Sequence, residues 1–149
     1  MNIQIETLPN YRIAYVRQVG PYGPANIQAM ETLKKWAREN DLIESSIILG
    51  IPQDHPETTP PENCRYDACI VISWDYQIDH SICEGELSGG NYAVFKIRHT
   101  AEDIQRAWTE IFPVLHNSGY QIENKPIVER YRWDMVNKDY CEICVPVKL

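Results

Sequence analysis

The order strand, helix, strand, strand occurs twice along the 149-residue chain, and this repetition limits the folds that the chain can adopt. Apolar periodicity predicts the first copy at 11–17, 24–40, 46–51 and 66–73, and the second at 92–98, 101–115, 126–133 and 140–147. Short strand-like runs at 3–6 and 82–87 precede the two copies. Self-similarity in a fixed order indicates duplication. The sequence therefore predicts one α+β domain over 1–149, with pseudo-repeats at about 1–80 and 81–149.

Two β-α-β-β halves favour an antiparallel sheet with both helices on one side. We expect a pseudo-twofold axis to relate the halves and a ligand cleft to lie between them, because sites often form at such seams. The side without helices must then be solvated, dimerised or shaped into a cleft. One long connection, 52–63, holds four prolines and predicts an ordered flap or a surface loop.

Helical spacing supports the second helix. Ile104, Trp108, Ile111 and Leu115 follow one another at spacings of four, three and four residues, which places them on one face. Thr100 precedes them as a candidate N-cap. Core packing is therefore the default interpretation of Trp108.

The first helix has a similar apolar stripe. Ile27, Met30, Leu33 and Ala37 are predicted to face the core, and Trp36 lies at the edge of that stripe.

Charge and hydropathy narrow the classes of function. The formal net charge is -7, which argues against direct DNA binding and mildly favours cationic partners. No apolar run approaches the roughly 20 residues of a membrane span. The first ten residues, MNIQIETLPN, lack the basic and apolar regions of a signal peptide. We therefore expect a cytoplasmic protein with no membrane partner.

The cysteine pattern predicts neither a metal site nor a bound cofactor. Cys141 and Cys144 form the one C-x-x-C pair, but they lie in a predicted strand. Residues three apart on a strand point to opposite faces, whereas a zinc site needs its sulfurs on one side. Buried apolar packing is the favoured role for both thiols.

One predicted strand carries a carboxylate among apolar residues. Alternation over 126–133 places Ile127, Glu129, Tyr131 and Trp133 on one face, with the two arginines opposite. A buried carboxylate is costly and favours a proton or a cation, and aromatic walls add cation–π attraction. The residues alone leave two readings open, a ligand-facing Glu129 and a solvent-facing Glu129 paired with a neighbouring base.

Several stretches together resemble a known family: GPYG at 20–23, GIPQDHPETTPPENCRYDACI at 50–70, GELSGGNYAVFKI at 85–97, and the run ending in PIVERYRWD. Their order and spacing identify the chain as a stand-alone member of the GyrI-like small-molecule-binding family. That family includes effector-binding domains of AraC-type and MerR-type multidrug regulators. The resemblance extends from Ile3 to Val147.

The resemblance implies a pocket between the halves and an acidic residue in it, at the position of Glu129. It implies binding of lipophilic, often cationic, compounds by that carboxylate and aromatic walls. Some relatives resemble hydrolases of cyclopropane-bearing toxic compounds, and others modulate DNA gyrase. Three hypotheses follow: a small-molecule-binding module, a hydrolase with Glu129 and Tyr131 as catalytic residues, and a gyrase-modulating protein. The wall residues that we predict beside Glu129 are Tyr131, Trp74, Trp133, Trp36, Tyr22 and Tyr92.

Overall fold

The computed structural model describes residues 2–43, 46–132 and 139–149, and within these ranges it contains two α-helices and nine β-strands. Among the described residues no helix is both long and apolar enough to cross a membrane. The elements in chain order are β1 (Gln4–Leu8), β2 (Tyr11–Val19), α1 (Pro24–Glu39), β3 (Ile47–Pro52), β4 (Arg65–Ile72), β5 (Cys83–Leu87), β6 (Gly90–Arg98), α2 (Ala101–Asn117), β7 (Gln121–Ile122), β8 (Val128–Arg132) and β9 (Tyr140–Lys148).

The strands form one curled antiparallel sheet in the order β1-β6-β9-β8-β3-β4-β2-β5, and β7 adds to β9. The pairing of β3 with β8 joins the strands of the first half to those of the second. From this pair outward, both sides of the sheet have an equivalent strand order. The α+β fold and the antiparallel sheet are confirmed, whereas the duplication and its pseudo-twofold axis stay predictions.

Both helices cover the same face of the sheet. Helix α1 packs on β2, β3 and β4 through Ala29, Leu33 and Ala37. Helix α2 packs on β6 and β9 through Ala107, Ile111 and Leu115, and the side chain of Thr100 caps its first turn by accepting from the Asp103 N–H. Tyr131 on β8 contacts both of these cores. The two helices therefore cover the strands on either side of the β3–β8 pair.

The predicted stripe of α1 is partly wrong. Leu33 and Ala37 are buried as expected, but the third buried residue is Ala29, and Ile27 is 66% exposed. Small residues at two of the three contact points let the helix lie close to the sheet. Ile27 and Met30 therefore lie along the side of the helix, next to the space that separates α1 from α2.

The face without helices is neither open nor flat. The sheet curls so that its apolar residues form a third core, which Leu8, Leu87, Tyr92, Val128 and Cys144 share with neighbours from the central strands. Curling of a twisted sheet brings its outer strands together and buries this face without a second layer. Intramolecular packing thus covers much of the surface that the sequence left open to solvent, dimerisation or a cleft.

Alternation on β8 sends the arginines to this curled face, as predicted. The Arg130 guanidinium bonds to Glu142 at 2.8 Å and to Glu6 at 2.5 Å, and its side chain is only 3% exposed. Arg132 reaches the same Glu142 carboxylate at 3.4 Å. These contacts hold the pKa of Arg130 above its usual range, although burial alone would lower it. The network satisfies charges that would otherwise be buried alone.

We predict that Glu142→Gln lowers the free energy of unfolding by about 3–5 kcal/mol, because it leaves the Arg130 charge buried with less compensation. Chemical denaturation monitored by circular dichroism measures the change. Glu102→Gln is the matched control, since the exposed Glu102 pairs with Arg106 on the surface of α2. Equal, small losses in the two variants would contradict a structural role for the buried network.

Candidate functional site

A cavity of about 520 Å³ lies above the β3–β8 pair, with α1 on one side and His99, which precedes α2, on the other. Its floor comes from β3, β4 and β8, and its wall from one side of α1. The lining residues are Asn26, Ile27, Met30, Glu31, Lys34, Arg38, Ile43, Ser46, Ile48, Tyr66, His99, Glu129 and Tyr131. The space has a volume typical of small-molecule sites.

Small residues in the sheet create room at the floor of this cavity. Gly50 lies opposite Glu129 on β8 and opposite Ala68 on β4. A Cβ atom at Gly50 would lie 2.5 Å from the Tyr66 hydroxyl oxygen, closer than any real contact. The Tyr66 ring therefore crosses the sheet over Gly50, and its hydroxyl approaches the carboxylate of Glu129.

The carboxylate of Glu129 is held by neighbours on three elements. The Tyr131 hydroxyl donates a hydrogen bond of 2.7 Å to its Oε2 atom. The His99 ring lies against the Tyr131 ring, with 5.1 Å between centroids and 51° between planes. Burial raises the pKa of Glu129, and the Tyr131 hydroxyl, the His99 charge and the Trp108 indole N–H each lower it in part. Burial is the dominant cause, so the ionised form is disfavoured relative to water.

The phenols around this carboxylate keep their protons. Burial, followed by the charge of Glu129, raises the pKa of both Tyr66 and Tyr131 above the usual range of a phenol. Both hydroxyls are therefore hydrogen-bond donors at neutral pH. A carboxylate of raised pKa beside two protonated phenols can neutralise a bound cation or accept a proton from water.

The structure brings two of the predicted site residues, Glu129 and Tyr131, together in the cavity. Trp133 lies outside the described residues. Trp36 packs on the α1 core and donates a hydrogen bond of 3.2 Å from its indole to the Ser81 hydroxyl. This contact holds the loop after β4 against the helix, away from the cavity lining.

The remaining predicted wall residues lie elsewhere. The Tyr22 hydroxyl donates to the Arg65 carbonyl at 2.7 Å and accepts from the Asp54 N–H at 3.2 Å, and it so anchors the proline-rich loop. Trp74 is 59% exposed in the loop after β4. Tyr92 is 1% exposed, lies in the core of the curled face and donates to the Ser88 carbonyl. None of the three lines the described cavity.

Sequence reasoning missed Tyr66, His99 and the effect of Trp108 on the pKa of Glu129. Trp108 does pack in the α2 core, as its spacing indicates, and it also lowers the pKa of Glu129 in part. Tyr66 and His99 give no local signal, because only strand order brings them beside β8. A signal did exist on α1, where Ile27, Glu31, Lys34 and Arg38 repeat at helical spacing.

The C-x-x-C pair divides between two faces, as strand geometry predicts. Cys141 belongs to the core under α2, and Cys144 belongs to the core of the curled face. Burial raises the pKa of each thiol to about 12, so both stay protonated. Among the described residues, no group of three or more His, Cys, Asp or Glu side chains has the arrangement of a metal site.

Comparison with known proteins places this architecture in context. The model of the GyrI-like small molecule binding domain matches residues 1–148. A candidate transcriptional regulator, YosT, derived from the SPbeta prophage of Bacillus subtilis, is 44% identical over 149 residues, covering 99% of this chain and 100% of YosT. A DNA gyrase inhibitor of Klebsiella pneumoniae is 29% identical over 154 residues, covering 99% of this chain and 98% of the inhibitor.

Solved structures share the fold at low sequence identity. SAV2435 bound to tetraphenylphosphonium aligns with a TM-score of 0.64 and 17% identity, over 99% of this chain and 94% of SAV2435. EcmrR in a complex with DNA aligns with a TM-score of 0.74 and 11% identity, over 99% of this chain but only 57% of EcmrR. The chain thus spans a little over half the length of that regulator.

We predict that Glu129→Gln stabilises the protein at neutral pH and that this gain disappears in acid. A raised carboxyl pKa means that the folded state keeps its proton at pH values where the unfolded state, near 4.5, has lost it. Stability of the wild type therefore falls as pH rises through that window, and the glutamine variant does not share this loss. Melting temperatures measured across the acid range test the difference.

Glu110→Gln, on the exposed side of α2, serves as the control and should track the wild type at every pH. A wild type that gains stability over Glu129→Gln as pH rises would contradict the assignment of Glu129 as a carboxyl group strained by burial.

Proposed function

Because the chain belongs to the GyrI-like small-molecule-binding domain family, we propose that its cavity binds lipophilic cations and that Glu129 supplies the opposite charge. The observation that carries this proposal is a carboxylate at the floor of a cavity of about 520 Å³ that also has aromatic and aliphatic walls. An apolar cavity with few convergent polar groups is typical of small-molecule sites.

The energetics of Glu129 favour a cationic occupant. Burial disfavours its ionised form because the carboxylate loses its hydration. A bound cation stabilises the ionised form in place of the lost water. A lipophilic cation does this and also removes apolar surface from water, along Ile48 and Met30. Cation–π attraction to the rings of Tyr66 and Tyr131 adds about 0.5–2 kcal/mol.

A structural neighbour supports the same chemistry. SAV2435, which shares the fold, was solved with tetraphenylphosphonium, a lipophilic cation with no hydrogen-bonding group. Such a ligand can be recognised only through charge and apolar contact. Tetraphenylphosphonium is therefore a suitable probe for this chain.

We predict that Glu129→Gln weakens binding of tetraphenylphosphonium by about tenfold, as expected for the loss of one charge pair in a partly dry site. Isothermal titration calorimetry with the phosphonium and with neutral triphenylphosphine oxide measures the effect. The variant should bind the neutral compound as the wild type does. Acid should also weaken phosphonium binding to the wild type, because protonation of Glu129 removes its charge.

Glu110→Gln is again the matched control for the loss of a carboxylate. The groups facing Glu129 are Tyr66, His99, Trp108, Tyr131 and Cys141. Equal affinity of wild type and Glu129→Gln for the phosphonium would reject the proposed counter-charge.

Hydrolysis is a second candidate function, and the two phenols beside Glu129 favour it. Glu129 would take a proton from water, and the water oxygen would bond to an electrophilic carbon of the substrate. The hydroxyl of Tyr66 or Tyr131 would donate its proton to the departing atom. The proton on Glu129 would then return to the phenolate, which restores both groups. Opening of a strained cyclopropane by this route adds one water to the substrate.

We predict for this second candidate that a cyclopropane-bearing dienone gains the mass of one water when incubated with the protein. The gain should be lost in Glu129→Ala and retained in Glu110→Gln, and mass spectrometry of the small molecule measures it. An unchanged mass, or a gain that persists in Glu129→Ala, would reject the carboxylate as a general base.

A further inference from the structure

Two cationic side chains line the same cavity on the α1 side. Lys34 and Arg38 lie four residues apart and therefore on one face of the helix. Lys35, between them in sequence, is exposed and is not part of the lining. The geometry thus separates two cations at the cavity from a third that faces solvent on the same helix.

The charge of the cavity differs from that of the whole chain. The protein has a net charge of -7, yet the cavity lining holds two carboxylates, Glu31 and Glu129, against Lys34 and Arg38. Among the described residues, neither cation forms an ion pair with a carboxylate. A cavity built only for cations would gain nothing from these two side chains.

The cations and Glu129 belong to different walls of the cavity. Glu129 lies on the sheet floor, where the Tyr131 hydroxyl donates to it and where His99 and Trp108 each lower its pKa in part. Lys34 and Arg38 project from the helix wall, and neither is among the groups that shift the pKa of Glu129. Apolar surface from Met30 and Ile48 belongs to the same lining. The cavity therefore offers a negative floor, an apolar middle and a helix rim on which Lys34 and Arg38 outnumber Glu31.

We propose that the ligand of this cavity is an amphiphilic zwitterion, with a cationic end at Glu129 and a carboxylate end at Lys34 and Arg38. The inference rests on the proposed function for the first contact, since Glu129 must receive the cation. The second contact is carried by residues of α1 alone. It narrows the ligand class from lipophilic cations in general to those that bear an acid group at the opposite end.

Lys34 and Arg38, at the rim, distinguish ligands with a carboxylate from ligands without one more than they raise the overall binding affinity. Lys34 is half-buried and Arg38 is exposed, so water and salt screen their attraction for an anion. A carboxylate at the rim then improves binding by about fivefold at low salt, the size expected of two screened pairs. The carboxylate also fixes the direction in which an elongated ligand enters.

Rhodamine B and its ethyl ester are the probes that test this inference, because they share one cationic xanthene body and differ in a free carboxylate. Fluorescence anisotropy measures the affinity of each dye for the full chain. We predict that the wild type binds rhodamine B about fivefold more tightly than the ester at low salt and that high salt reduces this preference. Lys34→Gln/Arg38→Gln should remove the preference by weakening rhodamine B, and it should not weaken the ester.

Lys35→Gln controls for the loss of a positive charge on α1 and should keep the wild-type preference. Lys34→Glu/Arg38→Glu should reverse the preference in favour of the ester. Equal loss of both dyes in Lys34→Gln/Arg38→Gln, or an unchanged preference for the acid, would overturn the rim assignment.

Glu129→Gln separates this inference from the proposed function. It should weaken both dyes by a similar factor, because both carry the same cation. If Glu129→Gln binds both dyes as the wild type does, the proposed counter-charge fails while the rim result still stands. If neither dye binds the wild type up to its solubility limit, both the proposed function and the rim assignment are rejected.

Discussion

The antiparallel pairing of β3 with β8 is the constraint on which the rest of the structure depends. Four residue pairs, from Ile47–Arg132 to Gly50–Glu129, join the strands of the two halves at the centre of the sheet, while β1–β6 and β2–β5 join them at its outer strands. The same register places the one carboxylate of β8 over a residue without a side chain. A shift of one residue would turn Glu129 into the curled core and Arg130 toward the helices.

Because side chains alternate between its two faces, strand β8 has a structural role on one face and a ligand-facing role on the other. On one face Arg130 bonds to two carboxylates and holds β8 to its neighbours, and on the other face Glu129 stays available to a ligand. The buried arginine is well compensated, whereas the glutamate is only partly compensated by Tyr131. The uncompensated cost of burying a charge thus falls on Glu129, the one charged group of β8 that faces the cavity. A bound cation can reduce that cost there.

Much of the fold could be predicted from the sequence, because periodicity and turn residues determine local elements. The order of elements, the helix on each half and the face of Glu129 all follow from spacing. The curl of the sheet could not be predicted, since it depends on how the outer strands meet. For the same reason the positions of Tyr66 and His99 in the cavity could not be predicted. Tyr92 and Trp74 were predicted as walls from their ring type, but Tyr92 lies in the core of the curled face and Trp74 lies at the surface.

The strand that precedes each half pairs with the other half, and this pairing affects how the chain folds. Strand β1 pairs with β6, and β5, which precedes β6 in the chain, pairs with β2. Residues 4–8 can therefore form their strand pairing only after residues 90–94 have been synthesised. During synthesis the first half cannot complete its edge of the sheet, and contacts so distant in sequence are slow to form. The floor of the cavity likewise requires both halves, because β3 and β8 are about 80 residues apart in the chain.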